Sequence, residues 1–301
     1  MSLQNFSILT YNSNSLFRGD TVKSKILYDE SHQIVTCVDT RVSLPQAQRL
    51  ARSFSKTSKI GERNERIFST VQQDGERHTG GVLIRFGSNI LSGDPEETII
   101  DDSPDKRYMA MVAPLTNGAR ILICVIYLSP NGPMAARTQL VDKINDRLTD
   151  MRDRLKPDVV CITGDLNTSL DNNEKNKKLN TSIKAMLYTL DLEDSFRYIH
   201  PSADAHSGAT FSCRTSIQQT FNSRLDYVFI SAHLLQPSNR PKIQLLTFDQ
   251  TVSDHMAVKL SVCKQANIES ISGRRKRFDD SLLHNENFML TAKNEIKKNL
   301  C

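Results

Sequence analysis

The sequence predicts a layered domain of mixed sheet and helix, either a four-layer α/β sandwich or an α+β fold. Three observations carry this reading. Short β-rich apolar runs recur along the chain, and several are continuous, as in ILICVIY at 121–127 and VVCIT at 159–163, the pattern of strands buried on both faces. Helical periodicities lie between them without strict strand–helix alternation. No glycine-rich loop opens any helix, which argues against a doubly wound nucleotide-binding sheet.

In chain order, the first strand is expected at 6–11, where FSILTY runs into the polar NSN. Residues 21–31 have apolar positions three and four apart with charges on the other face, which predicts a helix. A strand follows at 34–38, ended by Asp39, and then a helix at 45–54 of the same amphipathic kind. Strands are expected next at 81–86, 109–114 and 121–127, each a β-branched or apolar run. The long periodic stretch 134–155 predicts a helix, 159–163 a strand and 178–190 another helix, after which Asp191 and Asp194 begin a polar turn region. The last strands are expected at 226–230 and 256–262. No internal repeat is evident.

At 38% hydrophobic and 24% charged, the chain has the composition of a soluble globular protein. No apolar run nears the roughly 20 residues of a membrane span, and the N-terminus lacks the basic and apolar regions of a secretory signal. Six cysteines include no CxxC pair, no histidine pair stands at zinc-ligand spacing, and Cys37, Cys124 and Cys161 lie in apolar runs. Reduced thiols in a soluble intracellular protein are therefore expected. A net charge of +5 and a pI near 8.8 suit a polyanionic partner, though many surfaces reach that balance by chance.

The character changes after Cys263, so residues 1–263 are expected as one catalytic domain. Residues 264–301 carry a basic cluster, Arg274–Arg275–Lys276–Arg277, and then a helix-like stretch over 280–298. The cluster reads as a solvated linker, as a nucleic-acid contact or as a nuclear-import signal. Phe278, Leu282, Leu283 and Phe288 suit a terminal helix packed on the domain. Cys301 falls in that pattern with no stop signal, so the chain is expected to be a fragment of something longer.

Polar residues that interrupt apolar runs at strand ends are the candidates for chemistry. They are Asn12 and Asn14, Asp39, Tyr127, Asp165 and Asn167, Asp226, and the pair Asp254–His255. Each alone has an ordinary explanation, because Asn and Asp favour turns by bonding their own backbone. Together they imply one edge of the sheets that gathers carboxylates, amides and an imidazole. Such hard oxygen donors suit Mg²⁺ or Mn²⁺ rather than zinc, and a histidine beside carboxylates suits acid–base chemistry. Phosphate-ester hydrolysis needs these parts. No Walker loop, GxSxG elbow or Cys–His arrangement offers another chemistry.

The ordered series TYNSN, VDTR, GGVLI, IYLSPN, GDLNTSL, SRLDYVFIS and SDHMAVKL resembles the endonuclease/exonuclease/phosphatase superfamily over residues 8–262. The resemblance implies a DNase I-like four-layer sandwich, two packed β-sheets flanked by helices. Within that superfamily the chain looks most like the apurinic-endonuclease-type domain of non-LTR (LINE-type) retrotransposons, on DLEDSFRYIHP at 191–201, ATFSC at 209–213 and RRKRFDDSLLHNENFM at 274–289. The last stretch resembles the segment leading from such an endonuclease towards a reverse transcriptase.

The resemblance implies roles by position. Asn12 and Asn14 would lie near the metal and the scissile phosphate. Asp39 stands where the family has a metal-binding Glu, Asp254 would be a further metal ligand, and Tyr127 would meet the phosphate. Asp165 would orient or deprotonate water, Asn167 would hold a phosphate oxygen, and Asp226 would orient His255, which stabilises the phosphorane-like charge. Ser223 and Arg224 would touch the DNA backbone, with Thr210 and Phe211 beside a loop that meets the groove. Asp39 is a departure, because its carboxylate reaches about 1.5 Å less far than that of Glu. That shortening predicts a preference for Mn²⁺ or a weak enzyme.

Four functions remain in contention. They are a DNA nickase for target-primed insertion, a repair apurinic endonuclease or 3′-exonuclease, a lipid or small-molecule phosphatase, and a weakened DNA-binding platform. The basic balance, and the lack of an apolar insertion loop, favour duplex DNA as the partner over a membrane. The remaining expectations are Mg²⁺ or Mn²⁺ as the only cofactor, a monomer as an isolated domain, and action in the nucleus.

Overall fold

The continuous apolar runs are strands that serve a different core on each face. In the computed structural model, which describes residues 6–17, 26–27, 29, 31–56, 66–71, 80–171, 176–204, 207–214, 220–247 and 253–263, the strands are, in chain order, β1 (Phe6–Asn12), β2 (Ile34–Val38), β3 (Arg66–Ser69), β4 (Val82–Phe86), β5 (Glu97–Ile100), β6 (Tyr108–Pro114) and β7 (Arg120–Tyr127). They continue with β8 (Val159–Asp165), β9 (Leu192–Asp194), β10 (Phe211–Arg214), β11 (Thr220–Ser223), β12 (Asp226–Ser231), β13 (Lys242–Leu246) and β14 (Ala257–Val262). The helices are α1 (Leu44–Lys56), α2 (Met134–Leu155), α3 (Lys177–Thr189) and the short α4 (Ser195–Ile199).

Two six-stranded sheets form, in the orders β13-β14-β1-β2-β4-β3 and β5-β6-β7-β8-β12-β9, with β10 and β11 as a separate two-stranded ribbon. Among the described residues only β1–β2 and β7–β8 pair in parallel, so each sheet is mixed about one central parallel pair. Along β7, Ile121, Ile123 and Val125 face the core between the sheets, while Leu122, Cys124 and Ile126 face the helix layer. Helices α2 and α3 cover that outer face with Val141, Ile144, Leu148, Met151, Ile183 and Met186. On the other sheet, Leu9, Tyr11, Val35 and Leu83 pack outward against Leu50 of α1 and against Ile26 and Leu27. The four layers of the sandwich follow from this two-faced burial.

The expected strands are the interior strands of the two sheets, with bounds close to those observed. The edge strands β13, β3, β5 and β9 are not among them, because their positions are only partly buried and alternate weakly. Helix α2 has its expected bounds, and α1 and α3 lie within two residues of theirs. The turn region expected at Asp194 is instead the start of α4, whose first amides Phe196 N and Arg197 N donate to the Asp194 carboxylate at 3.1 and 3.4 Å. Most of the helix expected at 21–31 lies outside the described residues, and so does the whole of 264–301 with its basic cluster.

Within the apolar interface a polar bond joins the sheets, the Thr163 hydroxyl donating to the Thr36 hydroxyl at 2.9 Å. Both are buried, so the bond fixes how the sheets sit against each other at the end that carries the polar residues. In urea denaturation, Ile123→Ala, which empties a site with no exposed surface between the sheets, lowers stability by about 2–5 kcal/mol. Tyr188→Ala, at a side chain that is 90% exposed, changes it by less than about 0.5 kcal/mol.

Candidate active site

The register of three neighbouring strands brings Tyr127, Asp165 and Asp226 into one row. Tyr127 of β7 stands opposite Asp165 of β8, and Asp165 stands opposite Asp226 of β12. Gly164 makes the approach possible, because at its φ of 130° a Cβ would lie 2.0 Å from the Ile126 carbonyl oxygen. Asn12 reaches across from the end of β1 in the other sheet, and its Nδ2 donates to Asp165 Oδ2 at 2.8 Å. The site therefore lies where the two sheets meet.

Asp165 has no exposed surface. Its Oδ1 accepts from Asn167 N at 2.8 Å, and its Oδ2 accepts from Asn167 Nδ2 at 3.0 Å as well as from Asn12. Burial first, and the Asp226 carboxylate second, raise the Asp165 carboxyl well above its usual range, against the lowering effect of His255 and these hydrogen bonds. Asn167 Nδ2 also donates to Leu128 O at 2.8 Å, so both its hydrogens are spent inside the protein. The residue expected to hold a phosphate oxygen positions Asp165 instead.

His255 Nδ1 lies 2.7 Å from Asp226 Oδ2, which leaves Nε2 turned towards Asp165 at 3.9 Å from Oδ2. Burial disfavours the imidazolium, but the Asp226 carboxylate and its hydrogen bond outweigh it and raise the His255 pKa to about 9. The Ser253 hydroxyl donates to Asn12 O at 2.9 Å and accepts from His255 N at 3.1 Å. Thr210 Oγ1 accepts from Asp226 N and Leu225 N, both at 3.1 Å. Phe211 packs on the imidazole with ring centroids 5.0 Å apart. Thr210 and Phe211, expected beside the DNA, are thus the platform on which Asp226 and His255 sit, and Ser223 pairs with Phe211 in the ribbon behind them.

Arg224 was expected at the DNA backbone, and the structure puts it inside the protein. Its side chain is 2% exposed, bonded to Asp194 at 2.6 and 2.9 Å and to Asp171 at 2.9 and 3.0 Å. A guanidinium spent on two partly buried carboxylates has nothing left for a phosphate.

Among the described residues, those expected to hold metal form no cluster of three acidic or histidine side chains. Asp254 is exposed, and Asn14 lies beside Arg41, whose Nη2 is 3.5 Å from Asn14 Oδ1. Asp39 is buried with its carboxylate bonded to Arg41. The cluster that does form is Asp165, Asp226 and His255, with one ligand atom from each inside a 4.8 Å span. Among the described residues, Asp226 Oδ1 is buried there without a hydrogen-bond partner.

Tyr127 is nearly buried under the Arg107 guanidinium, which sits 5.1 Å from the ring centre. Burial, then the Asp39 and Asp165 carboxylates, keep its hydroxyl protonated beyond the usual tyrosine range. Sequence reading passed over Arg41, Arg107, Ser253 and Arg137. The last had a signal, since it begins the stripe Arg137, Val141, Ile144, Leu148, Met151 on α2. Its Nη2 donates to Leu166 O and Asn167 O, both at 2.8 Å, and so clamps the loop after β8.

The sequence pattern of the endonuclease/exonuclease/phosphatase family matches residues 51–255. The chain belongs to that family. No curated protein matches it. Among solved structures, a 3′ phosphatase, NExo, from Neisseria, bound to product DNA hairpin, is 17% identical with a TM-score of 0.62, over 85% of this chain and 98% of that one. An AP endonuclease from Archaeoglobus fulgidus is 16% identical with a TM-score of 0.62, over 85% and 98%. The AP endonuclease LMAP from Leishmania major is 14% identical with a TM-score of 0.60, over 87% and 89%. At these identities the likeness is one of fold, and the DNase I-like sandwich of two helix-flanked sheets is the fold they share.

The endonuclease/exonuclease/phosphatase family is typically dependent on divalent metal. The Asp165 and Asp226 carboxylates fit such an ion, with His255 alongside, since the unsatisfied Asp226 Oδ1 beside a second carboxylate is what a cation would complete. A bound cation would supply charge neutralisation for a phosphate oxygen and its leaving oxygen. The chain's own groups do the rest. Asp165, raised towards neutral pH, can take a proton from water, Asp226 fixes the His255 ring, and the imidazolium presents Nε2–H to developing negative charge.

Because its pKa is raised above the ordinary 6.5, protonated His255 favours the folded state. That contribution is complete below about pH 6.5 and is lost as pH rises through about 9. In EDTA, NMR titration of the imidazole nitrogens finds the His255 midpoint near 9, and Asp226→Asn returns it towards 6.5. A midpoint unmoved by Asp226→Asn contradicts the pairing.

Proposed function

We propose that this protein is a Mg²⁺- or Mn²⁺-dependent phosphodiesterase that nicks one strand of duplex DNA and leaves a 3′-hydroxyl. The observation that carries this reading is the meeting of a buried, amide-bonded Asp165 with the Asp226–His255 pair at the junction of the two sheets. One carboxylate serves water and one imidazolium serves the phosphate, as in-line hydrolysis of a phosphodiester requires. The fold shared with a DNA-bound 3′ phosphatase and with AP endonucleases supports DNA as the substrate. So does the net charge of +5.

The biological setting we propose is target-primed reverse transcription by a LINE-type retrotransposon, in which the new 3′-hydroxyl is the primer and the nuclease acts in the nucleus. Its support is the motif resemblance at 191–201, 209–213 and 274–289. A repair apurinic endonuclease or 3′-exonuclease is the second reading, favoured by the names of the solved neighbours. Choice of DNA step by groove shape is expected of the first, and strong preference for an abasic site of the second.

Supercoiled plasmid incubated with Mg²⁺ or Mn²⁺ is converted to open circles by wild-type protein. Asp165→Ala and His255→Ala each slow that conversion by about 100-fold or more. Folded protein that binds DNA yet leaves the plasmid intact with either metal rejects the activity. An oligonucleotide duplex cut only where a base is missing rejects the retrotransposon setting in favour of repair.

A further inference from the structure

We infer that Asp39 holds an arginine in place of a metal, and that this arginine, Arg41, is a docking point for a DNA phosphate. The inference rests on the phosphodiesterase reading above and adds a residue and a division of labour to it.

Every oxygen of Asp39 is occupied by the protein. Oδ1 accepts from Arg41 Nε at 3.1 Å and from Gly80 N at 2.9 Å, and Oδ2 accepts from Arg41 Nη2 at 2.6 Å. This is the bidentate fork-on-carboxylate arrangement, the strongest side-chain pairing available to a carboxylate without a metal. The backbone is built for it. Asp39 and Arg41 both have left-handed φ, 51° and 48°, so a two-residue step turns the Arg41 side chain back over the carboxylate. Thr40 N and Arg41 N donate to Gly81 O and Gly80 O at 3.2 and 3.0 Å, which fastens this turn to the next loop. Gly81 must lack a side chain there, since a Cβ would lie 2.7 Å from Thr40 Oγ1.

The short side chain belongs to the same design. A carboxylate one methylene nearer the backbone stays within reach of Gly80 N and is withdrawn from the Asp165–Asp226–His255 cluster, of which it is not a member. Asp39 is 5% exposed while Arg41 is 27% exposed. The acid is therefore inside and the guanidinium is at the surface. Arg41 Nη1 makes no hydrogen bond among the described residues, so a face of the fork is free. It is near enough to the nearly buried Tyr127 to act on its hydroxyl electrostatically. A positioned, partly exposed guanidinium with free donors, next to a phosphodiesterase centre, is suited to a non-bridging phosphate oxygen.

Two measurements that need no turnover test this. Binding of a short DNA duplex is followed by fluorescence anisotropy in EDTA across a range of NaCl. Arg41→Ala weakens binding about tenfold and reduces the slope of log K against log salt by about one, the value of one lost phosphate contact. Arg41→Lys recovers the slope. Should Arg41→Ala alone unfold because Asp39 is left unpaired, the double variant Asp39→Asn/Arg41→Ala removes both charges, and its slope decides. Calorimetric titration of Mn²⁺ into DNA-free protein is the second measurement. Asp39→Asn keeps the affinity within about threefold, whereas Asp165→Asn lowers it by about tenfold or more. The inference is overturned by a tenfold loss of Mn²⁺ affinity in Asp39→Asn, by an unchanged salt slope without Arg41, or by wild-type protein that does not bind duplex. A protein that gives the expected binding values but never nicks DNA leaves this inference standing and rejects the proposed activity.

Discussion

Asp165 has no exposed surface, and an ionised carboxylate in that position costs several kcal/mol unless it is fully bonded. The neighbouring structure supplies those bonds from both sheets. Asn12 comes from one sheet, and Asn167 closes back from the loop beyond β8. Asn12 is in turn fixed by Ser253, which also holds the backbone of His255. The carboxylate thus ties together the ends of β1 and β8 and the approach to β14. Its residual cost, felt as a raised pKa, is the property that a base for water needs near neutral pH.

Several arginines of this protein work inward. Arg137 clamps the carbonyls of Leu166 and Asn167, and Arg224 joins Asp171 to Asp194. Beside them, the Tyr227 hydroxyl accepts from Leu170 N and donates towards the carbonyls of Thr168 and Arg224. The loop after β8 and the start of β12 are thereby held as one unit, with Asp165 and Asp226 on its two sides. A net positive charge read from the sequence says little about contact with DNA when several of its guanidinium groups are buried. Arg41 and the buried Arg107, which sits over Tyr127, are each bonded to an aspartate two residues away, Asp39 and Asp105.

The legible part of the fold was its interior. Strands such as β7 and β8 carry apolar side chains on both faces, and that double burial leaves an unbroken apolar run in the sequence. The edge strand β5 reads ETII and the edge strand β13 reads KIQLL, half exposed, and neither pattern stands out from a loop. At the site, strand-end residues were legible because Asn, Asp and His interrupt apolar runs, and Asn12, Asp165, Asp226 and His255 do converge. What each side chain bonds to was not legible. Arg224 lies two residues from Asp226 and points into the protein, and Asp39 looks like a metal ligand until Arg41 is seen folded over it. Such choices depend on backbone angles and on partners distant in sequence, as with Asp39 and Gly80.

The order of strands also has a consequence for synthesis of the protein. β1, made before the other strands of the two sheets, pairs on one side with β2 but on the other with β14, and Phe6 stands opposite Val262. His255 lies two residues before the start of β14, and Asn12 closes β1. While a ribosome is still elongating the chain, the second sheet can already assemble from β5 to β12, since all its partners lie upstream of residue 232. The imidazole arrives only when the final strand emerges and closes against the first. With this topology the site stays incomplete, by connectivity alone, until the domain has left the ribosome.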